Sequence, residues 1–90
     1  MKKAVITTIG KDTVGILAKV SNLCAENHAN ITDVTQSIMK DLFCMIMIAD
    51  ISNLNNDFSK LVDQLEELGK KENLKIYCMH EDVFNCMHKI

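Results

Sequence analysis

Ninety residues, 48% of them hydrophobic, with a formal net charge of −2, specify one globular unit over residues 1–90 and exclude a disordered chain. Lys and Asp/Glu are mixed along the sequence without a basic stripe, so nucleic acid has no electrostatic footprint here. The longest apolar run, Leu42 to Ala49, is far too short for a membrane span.

The chain contains no Arg, Pro or Trp. Any bound anion must therefore be met by Lys, backbone N–H groups or a helix N-terminus. So short a chain buries only about 60% of its unfolded surface, which makes self-association an inexpensive source of stability.

Ala4 to Ile9 is a β-rich run ending at Gly10 and predicts the first strand. Gly10-Lys11-Asp12-Thr13 predicts a turn, with Asp12 or Thr13 able to cap the next helix. From Val14 to Asn27, Ile16, Leu17, Val20, Leu23 and Cys24 recur at helical spacing, with Lys19, Asn22 and Glu26 on the other side. Asn27-His28-Ala29-Asn30 ends that helix. Ile31 to Met39 alternates weakly, as a half-polar edge strand would. Lys40-Asp41 turns into Leu42 to Ile51, apolar on both faces and therefore predicted to be a central strand.

After a polar loop, Asn56 or Asp57 can cap a second helix carrying Phe58, Leu61, Val62, Leu65 and Leu68 on one stripe. Gly69 falls on that stripe if the helix continues to Asn73, which predicts a close approach to the sheet. Leu74 to His80 predicts the fourth strand. Glu81 to Ile90 predicts a short amphipathic helix with Val83, Phe84, Met87 and Ile90 on one side.

The resulting fold class is α+β: a ferredoxin-like βαββαβ sandwich, a four-stranded antiparallel sheet with two helices on one face plus a short C-terminal helix at 81–90. Both crossover helices cover one face. Of the rows Phe43, Met45, Met47 and Cys44, Ile46, Ile48, one must then be covered by the C-terminal helix, a second subunit or both. A homodimer is expected, with strand two as the edge for sheet-to-sheet pairing.

Cys24, Cys44, Cys78 and Cys86 are dispersed, and Met1-Lys2-Lys3 leads into a strand without a secretory leader. A cytoplasmic protein with reduced thiols is the expectation. Alternatives on this fold each lack a required residue. Acylphosphatase-like catalysis needs an Arg in the first loop, metal carriers a Cys-x-x-Cys there, RNA-recognition motifs aromatics on both central strands, and ferredoxins clustered cysteines. No Cys, Ser or Thr has a base fixed near it by sequence, so no enzyme, no catalytic residue and no cofactor are expected. His80, Cys86 and His88 match no standard zinc spacing, and no metal is expected.

The first βα turn, Gly10-Lys11-Asp12-Thr13-Val14-Gly15-Ile16-Leu17-Ala18-Lys19-Val20, followed by Ala29-Asn30-Ile31, resembles the ACT domain, the amino-acid-sensing module of metabolic enzymes and regulators. The likeness covers the whole chain in element order. The ending from Met79 to Ile90 resembles that of small free-standing bacterial ACT-domain proteins. Val14 stands where many ACT domains have Pro.

The resemblance implies a small-molecule ligand, an amino acid or similar metabolite, bound between subunits by Lys11, Asp12, Gly15, Ile16, Asn30 and Ile31. A helix N-terminus suits a carboxylate, Asp12 an ammonium group, and the Asn30 amide either partner. The same residues have plainer readings: Asp12 as a helix cap, Gly10 and Gly15 as turn and packing glycines, Asn30 as a turn residue, and Ile16 and Ile31 as core. Two other functions compete. One is a ligand-free interaction module docking to a metabolic enzyme or regulator; the other is a thiol or metal sensor using Cys86 and the nearby His residues.

Overall fold

A computed structural model describes residues 2–11 and 14–87. Its elements run β1 (Lys3–Gly10), α1 (Ile16–Glu26), β2 (Asn30–Met39), β3 (Leu42–Asp50), α2 (Phe58–Glu72), β4 (Lys75–His80) and α3 (Glu81–Met87). The strands form one antiparallel sheet of order β2-β3-β1-β4, the ferredoxin-like arrangement that the sequence predicts. β1 and β3 are central, and β2 and β4 are edges.

Register divides the residues cleanly between two faces. Ala4, Ile6 and Thr8 stand level with Ala49, Met47 and Met45 of β3, and with His80, Cys78 and Ile76 of β4. This is the face that α1 and α2 cover, and its central positions Ala4, Ile6, Thr8, Met45, Met47 and Ala49 are wholly buried. Val20 and Cys24 of α1 and Leu61 and Leu65 of α2 complete the core. Burying each such side chain contributes about 1.5–3 kcal/mol, which is why apolar stripes rather than helix propensity decide where these helices lie.

On the opposite face, Cys44, Ile46 and Ile48 are only half-buried. α3 accounts for part of the cover: Phe84 and Met87 line a cavity of about 290 Å³ together with Thr7, Ile46, Tyr77 and Met79. Val5, on the same face of β1, is 3% exposed.

One helix boundary corrects the sequence reading. α1 starts at Ile16 rather than Val14, because its cap residue is Gly15 in the left-handed conformation (φ 72°), with no capping side chain. Asp12 and Thr13, the caps that the sequence offers, lie outside the described residues. At α2, Asp57 holds the cap position without a side-chain capping bond.

α2 continues past Gly69, as its stripe predicts, and closes on left-handed Asn73. The Asn73 and Leu74 amides donate to the Lys70 and Gly69 carbonyls at 3.4 and 2.7 Å, the paired bonds of a Schellman stop. The end of α1 is tied down by Asn27, 3% exposed, whose amide donates to the Leu23 carbonyl at 2.9 Å and to Oε1 of Gln64 at 2.8 Å.

β2 is ten residues long and exposed throughout except for half-buried Ile31. A bulge between Ile31 and Asp33 removes Thr32 from the ladder, and its hydroxyl donates to the Ile48 carbonyl at 3.2 Å. Beyond the bulge Val34 and Ile38 share the helix-covered face, yet they are 41% and 70% exposed. α3 is described to Met87; His88, Lys89 and Ile90 of the expected 81–90 helix lie outside the described residues.

Candidate functional site

The residues expected to bind a ligand fall into two groups at opposite ends of the sheet. Lys11, Gly15 and Ile16 follow the end of β1, where Gly10 pairs with Phe43. Asn30 and Ile31 begin β2 beside Asp50 and Ala49, which in turn pair with Lys3 and Ala4. Seven residue steps of β1 separate Lys3 from Gly10, roughly 23 Å at the rise of an extended strand. One copy of the chain therefore does not bring the two groups together.

Five of the six residues have a described local setting. The Lys11 ammonium lies 3.6 Å from the Asp41 carboxylate, with both side chains more than three-quarters exposed. Gly15 is exposed, and its carbonyl accepts the first α1 bond from the Lys19 amide at 3.0 Å. Ile16 is 2% exposed and belongs to the core, so it supports the turn from beneath. Asn30 is exposed, whereas Ile31 packs against the core from its half-buried position. Asp12 lies outside the described residues.

Three further hollows surround these elements. Lys19, Asn22, Glu26, Gln64, Glu67 and Lys71 are among the residues of a mixed-charge groove of about 530 Å³ between α1 and α2. The Lys19 ammonium closes one part of it by pairing with Glu72. The cavity under α3 is apolar. A third hollow, about 610 Å³, joins Lys11 to Lys70 and Lys75. The sequence reading missed these last two lysines; the signal available was that an antiparallel β1–β4 pair places the start of strand four beside the end of strand one.

The thiols divide by burial. Burial pushes Cys24 up to about 11. Burial, and then the neighbouring Cys24, pushes Cys78 up to about 12. Both are therefore protonated at neutral pH and poor nucleophiles. Cys86 is exposed. His80 stacks against Phe58 with ring centroids 4.2 Å apart. Among the described residues, no three His, Cys, Asp or Glu side chains converge as a metal site would require. At the Asn30 end, the Ser52 hydroxyl and amide hold the Asp50 carboxyl below its usual range, with the amide at 2.9 Å.

Comparison with known proteins gives a consistent assignment. The ACT domain family model matches residues 2–79. A UPF0237 protein of Methanococcus maripaludis is 49% identical over 90 residues, covering 100% of both chains. The solved structure of an ACT domain protein from Streptococcus pneumoniae superposes with a TM-score of 0.80 at 36% identity, over 92% of this chain and 93% of that one. The regulatory subunit of aspartate kinase from Thermus thermophilus shares the fold, with a TM-score of 0.65 at 20% identity over 87% of this chain and 50% of that one.

Proposed function

The chain belongs to the ACT domain family, and from that premise we propose that it is a non-catalytic regulatory module that binds an amino acid or similar small metabolite between two copies of itself. The observation that carries this reading is the division of the candidate site between the two ends of one sheet. Two copies related by a two-fold axis near the middle of β2 would run their edges antiparallel. Asn30 and Ile31 of one copy would then stand beside the Lys11–Ile16 end of the other. A long, unpaired edge carrying exposed Val34 and Ile38 is suited to such pairing.

Chemistry at the joined ends suits a zwitterion. α1 directs its free N–H groups and partial positive charge toward a carboxylate, and left-handed Gly15 leaves that approach clear, with nothing within 4 Å of where a Cβ would stand. Lys11 adds a cation, Asp12 a partner for an ammonium group, and Asn30 an amide that can donate and accept. Among the described residues no helix is long and apolar enough to cross a membrane, and the setting proposed is the cytoplasm.

A thermal-shift scan against the common amino acids tests the proposal. A ligand at about a hundredfold over its Kd adds roughly 2.7 kcal/mol, and each kcal/mol moves the melting point of so small a protein by about 4–8 °C. A shift confined to one chemical class, and lost in Asp12→Ala and Asn30→Ala, is the expected result. A flat scan at millimolar concentrations would retire amino-acid sensing. The exposed apolar residues Val14, Leu17, Val34 and Ile38 would then favour the second reading, a ligand-free module that docks to a metabolic enzyme or regulator.

A further inference from the structure

The hollow beside the end of β1 differs in character from the amino-acid site. It is bounded by Ile9, Gly10 and Lys11, by Leu42 at the start of β3, by Lys70 and Asn73 at the end of α2, and by Leu74 and Lys75. Register explains the convergence, because Lys75 is the cross-strand neighbour of Ile9. The hollow is thus lined by three lysines and by apolar Ile9, Leu42 and Leu74, with no carboxylate among the described lining residues. This is an unusual concentration of positive charge in a chain whose net charge is −2.

Each lysine has an individual structural reason that falls short of explaining the group. Lys70 complements the negative end of the α2 dipole, and Lys75 is a charged residue on an edge strand. Neither reason requires them to face the same hollow as Lys11. Neither Lys70 nor Lys75 has an ion-pair partner among the described residues, and the Lys11–Asp41 contact is loose and solvated. An ion pair this exposed contributes little, so an incoming anion can displace it. The volume, about 610 Å³, is that of a small-molecule pocket.

We propose that this hollow binds a small metabolite with a compact dianionic group, of the phosphate-monoester type, on an apolar body. The dianion meets Lys11, Lys70 and Lys75, while the body lies on Ile9, Leu42 and Leu74. Without Arg in the chain, recognition rests on converging point charges rather than a bidentate fork, so binding weakens steeply with salt. This second site would share Lys11 with the amino-acid site and would give the protein a second input through Lys70 and Lys75.

Titration followed by amide chemical shifts in low-salt buffer tests the proposal, with phenyl phosphate, inorganic phosphate and phenol as probes. Phenyl phosphate is expected to bind saturably and more tightly than either other probe, with shifts centred on Ile9–Lys11, Leu42 and Lys70–Lys75. The double variant Lys70→Gln/Lys75→Gln should bind it about tenfold more weakly. Lys3→Gln/Lys60→Gln, with the same loss of charge at the opposite end, should bind as the parent does. Non-saturable shifts, equal binding of the two phosphates, or equal weakening in both double variants would overturn the proposal. Melting curves confirm that each variant is folded, and an amino-acid response retained in Lys70→Gln/Lys75→Gln separates this site from the one proposed above.

Discussion

Gly69 lies so close to the following strand that a Cβ there would stand 2.8 Å from the Leu74 carbonyl oxygen. The obstructing atom is backbone, fixed by the 2.7 Å bond from the Leu74 amide to the Gly69 carbonyl. Contact between α2 and β4 is thus set by a missing side chain. In an open helix, Gly to Ala would stabilise by about 1 kcal/mol. Here Gly69→Ala is expected to destabilise by about 1–3 kcal/mol, because the helix must move away from the sheet. Urea denaturation of the variant decides the sign.

Thr8 gives the opposite expectation. Its residue is wholly buried, and its hydroxyl has no hydrogen-bond partner among the described residues. An unsatisfied buried hydroxyl costs about 1–3 kcal/mol, and valine has nearly the same shape without that cost. Thr8→Val should leave stability unchanged or raise it by about 1 kcal/mol. A fall in the urea midpoint would mean that the hydroxyl has a partner.

Alkaline pH should weaken the fold through its buried thiols. In the unfolded chain Cys24 and Cys78 ionise near the ordinary value, about 8.5. In the folded chain they hold their protons up to about 11 and about 12. Between those limits the unfolded chain binds fewer protons, so stability falls as pH rises. The contribution is fully present below about pH 8, under the unfolded value. Denaturation midpoints at rising pH should therefore decline, and the decline should flatten in Cys24→Ala/Cys78→Ala. At neutral pH a thiol reagent should label exposed Cys86 well before Cys24 and Cys78.

The proposed pairing of β2 edges is open to a direct mass measurement. Val34 and Ile38 lie on one face of that edge, and both are exposed in the single chain. Light scattering should give twice the 10.1 kDa chain mass for the parent protein and 10.1 kDa for Val34→Lys/Ile38→Lys. Lysines at these positions would bring like charges together across a two-fold axis while costing the folded monomer little. A parent protein already at the monomer mass would remove the dimer, and with it the shared ligand site.

Local pattern was enough to read the elements and their order. The α2 stripe through Leu61 and Leu65, the doubly apolar β3 and the alternation of β4 each answer to a period that adjacent residues carry by themselves. The buried stripe position of Gly69 was legible for the same reason. So was the membership of the family, carried by the Gly10–Val20 turn and Asn30-Ile31.

Tertiary structure alone decided what depends on where the ends of elements meet. The α1 start moved to Ile16 because Gly15 takes a left-handed conformation, a backbone choice that no periodicity records. The resemblance assigned Lys11 and Asn30 to one site between subunits, and strand direction is what puts them at opposite ends of the sheet in a single chain. Strand direction also joins Lys11 to Lys70 and Lys75, which are distant in sequence. Periodicity is a property of neighbours along the chain, whereas a binding site is a property of neighbours across it.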